Sequence, residues 1–224
     1  QTSSNLFFTN FTYDVLAIDK QTILPLDNIN YPTQEYTYNF QTVGDSKILV
    51  KQREQNGTTN TLDTYKFYDG FGRLIQSKAD ASNNKQIAVD YYYDDSGRLV
   101  RQSNPYLVSA TQNYTTADAN IPFTLYEYDS LGRFVKVFNP DNSVKNITFD
   151  RWNITLHDEN NHRTGYEVDF KGRIVRVIEY NGSGSYPTYY KYNAVGELMF
   201  IQDALGNNFN FTYDSLGRKI KEKD

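Results

Sequence analysis

Glu127-Tyr128-Asp129-Ser130-Leu131-Gly132-Arg133-Phe134 is the stretch whose reading decides the fold. Before the Asp the chain alternates, so Tyr126 and Tyr128 share one side. Period-two alternation of aromatic residues means strand. The Asp129 carboxylate is placed to accept backbone amides two residues on, which starts a turn. Gly132, three positions later, supplies a positive φ, as in a type I turn followed by a left-handed residue and a bulge. After the glycine, strand resumes; a sister stretch reads Arg173-Ile174-Val175-Arg176-Val177-Ile178. The unit is a β-hairpin.

The unit repeats. Tyr68-Asp69 with Gly72-Arg73, Tyr93-Asp94 with Gly97-Arg98, and Tyr213-Asp214 with Gly217-Arg218 copy it. Two variants are Asp169 with Gly172-Arg173, and Tyr192-Asn193 with Gly196-Glu197. A decayed copy is Phe149-Asp150-Arg151-Trp152-Asn153, with Asn153 expected in the left-handed slot. The Asp or Asn slot thus falls at 69, 94, 129, 150, 169, 193 and 214, in steps of 25, 35, 21, 19, 24 and 21. The two long steps are read as inserted loops, around Asp80–Lys85 and Ser103–Pro122. Return turns are expected at Asn139-Pro140-Asp141-Asn142 and Asp203-Ala204-Leu205-Gly206-Asn207. Residues 61–224 are therefore taken as the repeat region. Residues 1–60 are taken as degenerate β-rich repeats: Thr12-Tyr13-Asp14 starts a copy without Gly-Arg, Glu35–Phe40 and Lys47–Lys51 read as strands, and Asn56-Gly57 reads as a hairpin turn.

Composition narrows the function classes. The chain has 224 residues, with 20 Tyr and 14 Phe, which excludes ordinary disorder. No run approaches the roughly 18 apolar residues of a membrane helix, so no membrane insertion is expected. The formal charge of −4 has the wrong sign for a phosphate-backbone binder, so no nucleic acid partner is expected. The absence of Cys removes disulfide frameworks, thiolate zinc sites and Cys nucleophiles.

Tyr-Asp-x-x-Gly-Arg-Leu at about 21-residue spacing, from Tyr65 to Lys221, resembles the YD or Rhs repeat. The resemblance implies an all-β fold: tandem hairpins joined edge to edge into one continuous curved sheet, part of a β-shell or spiral. Relatives of that kind include toxin-complex cages, Rhs and wall-associated polymorphic toxins, and teneurins. A secreted or cell-surface structural scaffold is implied, with a fragment of a toxin-encapsulating cage, or an adhesin or filament subunit, as alternatives. Seven hairpins give about 14 strands and a sheet roughly 67 Å wide, a fraction of one turn of such a shell. The expected partners are further repeats of a longer parent, or other copies, at open β-edges; toxin cargo and cell-surface glycans are further candidates.

Candidate chemistry is sparse. His157 and His162 with Asp158 and Glu159 could be imagined as a metal site, but the segment matches a polar return turn, so no metal, cofactor or catalytic residue is expected. The Gly-Arg arginines are read as a structural ladder pairing with carboxylates or rings of neighbouring hairpins. Asn181-Gly182-Ser183-Gly184-Ser185-Tyr186-Pro187 is read as a loop extension, and the strand aromatics as filling a buried face. Asn-x-Ser/Thr occurs at Asn10, Asn56, Asn113, Asn146, Asn153, Asn181 and Asn210, either as glycosylation acceptors or as a product of an Asn- and Thr-rich composition.

Overall fold

The structure, a computed structural model, describes residues 9–14, 17–40, 46–55 and 58–223. The described residues form nineteen strands and no helix. They divide into two compact units, residues 1–124 and 125–224.

The first unit contains β1 (Asn10–Tyr13), β2 (Asp19–Ile23), β3 (Gln34–Asn39), β4 (Ser46–Arg53), β5 (Thr61–Tyr68), β6 (Leu74–Ala81), β7 (Lys85–Tyr93), β8 (Leu99–Ser103) and β9 (Tyr106–Ser109). Each strand from β1 to β7 pairs antiparallel with the next. β7 is long enough for two partners on one side. Its end Tyr91–Tyr93 pairs with β8, and its start Lys85–Ala88 pairs with β9. The chain then forms an irregular strap, 110–122, over the face of β5–β7. Under it lie most of the buried side chains among the described residues, including Tyr65, Phe67, Gln76, Lys78, Ala88 and Asp90.

The second unit carries β10 (Phe123–Tyr128, whose first two residues precede the unit boundary), β11 (Phe134–Phe138), β12 (Val144–Asp150), β13 (Asn153–His157), β14 (Arg163–Val168), β15 (Ile174–Asn181), β16 (Gly184–Tyr192), β17 (Leu198–Gln202), β18 (Asn208–Tyr213) and β19 (Lys219–Lys223). These are successive antiparallel neighbours. Register sorts the side chains onto two faces. One face is polar: Glu127, Lys136, Asn146, His157 and Arg163 line up across five strands. The other is apolar and aromatic, through Ile147–Leu156, Tyr166–Val177 and Tyr190–Ile201–Phe209. The aromatics expected to fill a buried face are mostly half-exposed here, because the unit is one layer thick and rings cover one another only sideways.

Several turns differ from expectation. Asp150 pairs directly with Asn153 across a two-residue turn, and Arg151, not Asn153, takes the positive φ, at 53°. The extra length at Asp80–Lys85 is no inserted loop. A three-residue turn with Asn83 and Asn84 at φ 59° and 53° joins strands that are themselves longer. Likewise Gly182-Ser183 is a two-residue turn, and Ser185-Tyr186-Pro187 belong to β16. Asn56-Gly57 lies outside the described residues.

The Asp14 copy keeps its turn without Gly or Arg. The Asp14 amide donates to Ile18 O (2.9 Å), the Ala17 amide donates to Asp14 O (3.1 Å), and the Ile18 amide donates to the Asp14 carboxylate (3.0 Å). Ala17 fills the glycine slot at φ 59°. A left-handed alanine is strained, so Ala17→Gly is expected to stabilise by about 0.5–1 kcal/mol. Urea unfolding of the variant checks this; no gain would mean the slot costs alanine nothing.

Candidate functional site: the turn ladder between repeats

The YD turn is one hydrogen-bonded device built from Asp, Gly and Arg. In the copy at Asp169, Oδ1 accepts the amides of Lys171 (2.9 Å) and Arg173 (3.0 Å). Oδ2 accepts Arg173 Nε at 2.7 Å. The Asp169 amide donates to Arg173 O and the Gly172 amide to Asp169 O, both at 2.9 Å. The register slips by one just before the Asp, between Glu167 and Val168, which is the bulge. Asp69, Asp94, Asp129 and Asp214 build the same arrangement with Arg73, Arg98, Arg133 and Arg218. Their glycines, Gly72, Gly97, Gly132 and Gly217, sit at φ 76–78°.

Electrostatics follow the geometry. At Asp94 and Asp214 the Arg98 and Arg218 amides, respectively, are the main force holding the carboxyl below its usual value of 3.8. At Asp69 and Asp129 partial burial opposes the charge, but the amides and guanidinium of Arg73 and Arg133 outweigh it.

Asn193 inverts the side-chain pair. Its Oδ1 accepts the Gly196 (3.0 Å) and Glu197 (2.9 Å) amides, while its Nδ2 donates to Glu197 Oε2 at 2.6 Å. An Asn–Glu pair therefore replaces Asp–Arg with donor and acceptor exchanged. The return turns at Asp158 and Asp203 use the same backbone plan. There His162 stands in the Arg slot, its Nδ1 3.0 Å from Asp158 Oδ2. His157 instead lies in β13, paired with Asn146 and Arg163. Among the described residues no three His, Asp or Glu side chains converge as a metal site would require.

The same arginine reaches the next hairpin. Arg73 lies over the Tyr93 ring (4.9 Å to the centroid) and its Nη1 faces Asp94 O at 3.4 Å. Arg173 does the same to Tyr192 (4.7 Å) and Asn193 O (3.4 Å). Arg133 covers Phe149 at 4.1 Å. Tyrosine hydroxyls bind back: Tyr93 donates to Leu74 O, Tyr192 to Ile174 O and Tyr213 to Leu198 O, at 2.8–3.0 Å. For Arg73, Arg133 and Arg173 the carboxylate partner is thus in the arginine's own turn and a ring partner is in the neighbour. These three motifs close one hairpin and clamp the next.

Gly172 isolates the backbone part of this device, since a Cβ there would meet nothing within 4 Å. Gly172→Val is expected to destabilise by about 1 kcal/mol or more, from the φ of 77° alone. Thermal unfolding tests it; a neutral result removes the requirement for a left-handed residue.

A second polar assembly went unread in the sequence. Lys78 Nζ donates to Thr111 O (2.7 Å) and Asn113 O (2.6 Å) of the strap. The Gln76 carboxamide takes both main-chain groups of Thr115, donating to O (2.7 Å) and accepting from N (3.0 Å). Asp90 accepts from Gln76 Nε2 (2.6 Å) and Tyr106 OH (2.8 Å). Burial, with Lys47 nearby, pushes the Lys78 ammonium down to about 8. Burial beside Asp63 and Asp80 pushes Tyr65 up to about 12. No local pattern marks these residues, because a strap from 30 residues downstream creates their burial.

Hairpins in tandem, with Arg73, Arg133 and Arg173 each laid over a ring of the next, define a β-sheet built from repeats. A family model described as Teneurin YD-shell matches residues 9–224, and the chain belongs to that family. No curated protein matches it. Among solved structures it is similar to the TcdB2-TccC3-Cdc42 crystal structure, at 15% identity and TM-score 0.74, over 96% of this chain and 17% of that one. The TcdB2-TccC3 crystal structure gives 16% identity and TM-score 0.68, over 96% and 16%. The Photorhabdus luminescens Tc holotoxin pore gives 18% and 0.62, over 79% and 12%. The chain therefore spans less than a fifth of the length of each of these. The likeness is one of fold.

Proposed function

We propose that this chain is a non-enzymatic scaffold, a segment of wall in a secreted or cell-surface YD-repeat shell. The observation that carries the reading is the clamp from one repeat to the next: Arg173 closes its own turn on Asp169 and covers Tyr192 of the following hairpin. A device that fixes each repeat against its neighbour propagates a sheet, and sheet area is what a wall requires. Further repeats are the proposed partners at the free sides of β1 and β19, whose described pairings are to β2 and β18. The 1–60 and 61–224 division by motif, and the structural role of the motif residues, are part of this proposal. So is glycan attachment at the sequons, of which Asn153 and Asn210 are exposed on the polar face of the second unit.

The test is intact mass with size-exclusion light scattering on natively purified material. A particle far larger than the 26.0 kDa chain, with this sequence in its wall by peptide mapping, supports the reading. A bare 26.0 kDa species with no larger particle overturns it. The encapsulating alternative predicts a second polypeptide, enclosed and protease-protected, in the same particle.

A further inference from the structure

The strap over β5–β7 is gripped by its main chain. Gln86 Oε1 accepts the Thr111 amide (3.1 Å), and Lys78 Nζ donates to Thr111 O and Asn113 O. Lys47 Nζ donates to Gln112 O (2.7 Å), and the Gln76 carboxamide takes both main-chain groups of Thr115. Side-chain recognition by these residues amounts to one long contact, from Lys78 Nζ to Thr115 Oγ1 at 3.4 Å. The face under the strap therefore reads a polypeptide by its N–H and C=O groups.

Strand register finds the same face again in the second unit. Phe67 and Glu127 each stand two residues before a turn Asp. Their partners, Gln76 and Lys136, each stand three residues after the turn Arg, and pair onward with Asp90 and Asn146. The first row lies under the strap. The second lies in an open groove of about 850 Å³, lined by Glu127, Lys136, Asn146, Thr148, His157 and Asn161 among others. Among the described residues, the side chains of Asn146, Thr148 and His157 have no hydrogen-bond partner.

We infer that this groove seats an open polypeptide segment of another chain, read through its main chain as the strap is read. The strap shows what covers this face at this register, and the groove has the chemistry to match. A carboxamide can take the N–H and C=O of one residue together, as Gln76 does, and Asn146 offers a carboxamide with nothing bonded to it. Lys136 and His157 flank Asn146 on the paired strands as further partners for main-chain groups. The charges of the lining are balanced, Asp129 against Arg133 at 2.7 Å and Glu127 against Lys136 at 3.9 Å, so the groove selects neither an anion nor a cation. Phe149, the ring in the lining, is covered by Arg133 at 4.1 Å, which removes a platform for a nucleobase. Helices and paired strands have their main-chain groups already bonded, so the occupant is a segment without regular structure.

The probe is a fluorescently labelled peptide with the strap sequence Thr111–Asp118, titrated into the full chain and followed by anisotropy. The expected result is saturable binding with a dissociation constant below a millimolar. A scrambled peptide of the same composition should bind within a few-fold, because side chains are not read. The strap peptide with its amides N-methylated should bind about tenfold more weakly, as should the parent peptide to N146A/H157A, each having lost main-chain hydrogen bonds. A chain that binds no strap peptide at millimolar concentration overturns the inference. So does binding that the scrambled peptide lacks, or that survives N-methylation or N146A/H157A. Should the double change unfold the chain, a strap peptide bearing a benzophenone is cross-linked to the parent chain. Label within residues 127–161 supports the seat, and label confined to other residues overturns it. The inference does not rest on the scaffold reading, which is judged on native particles.

Discussion

Phe67→Ala is expected to cost about 3–5 kcal/mol, the largest effect of any single substitution argued for this chain. Phe67 is 1% exposed, in a molecule where almost every other ring is half-open to solvent. Its ring meets Tyr114 of the strap edge to face, at 6.0 Å between centroids and 81° between planes. Lys78 Nζ lies 5.3 Å from the same centroid. Truncation therefore removes the buried ring, opens a cavity that sheet backbone cannot close, and takes away the surface on which Tyr114 rests. The comparison is Phe71→Ala, at a turn tip and 86% exposed, expected within about 0.5 kcal/mol of the parent. Urea unfolding followed by far-UV circular dichroism separates them. Similar small losses at both positions would mean the strap does not seal the face.

Lys78→Ala comes second, at about 2–4 kcal/mol near neutral pH. Two strap carbonyls would lose their donor inside a dry site, and each buried unpaired group costs about 1–3 kcal/mol. Relief of the buried ammonium offsets part of that. Lys78→Met, which keeps the volume and removes the charge, should lose less than the alanine variant. The pH dependence supplies an independent sign. With a folded value of about 8 against an ordinary 10.5, the unfolded chain holds this proton more tightly. The cost of the buried charge is therefore carried in full below pH 8 and is relieved as pH rises through 8 toward 10.5. Tyr65 works in the opposite direction from about pH 10, since its hydroxyl stays protonated in the fold up to about 12 while the unfolded chain ionises. Tyr106, raised by burial and its bond to Asp90, acts the same way. The window is thus pH 8 to 10. There the parent chain should gain stability relative to Lys78→Met. A difference that stays flat or falls would show that the carbonyl ligands keep the ammonium charged.

The turn chemistry was legible because it is local. An Asp whose carboxylate caps the amides two and four residues on, and a left-handed residue one step before the last, are fixed within five residues of chain. Even so, Asp14 with Ala17 shows that the backbone pattern outlasts its sequence signature. Asp150 shows the converse, a plausible copy whose pairing with Asn153 leaves no room for the five-residue turn. The clamp was half legible. Arginine's carboxylate partner lies four residues away, whereas its ring partner lies about 20 residues on, and identifying that partner requires the register of two further strands.

By itself the sequence determined the hairpin unit, its Asp, Gly and Arg slots and the all-β class, because period-two alternation and turn stereochemistry act over a few neighbouring residues. Only the tertiary structure decided that Gln76, Lys78 and Asp90 are buried. Alternation states that these residues share a side of their strands, but not whether anything lies over that side. A polar strand face becomes a core only where a distant segment, here 110–122, brings main-chain groups to satisfy it and excludes water.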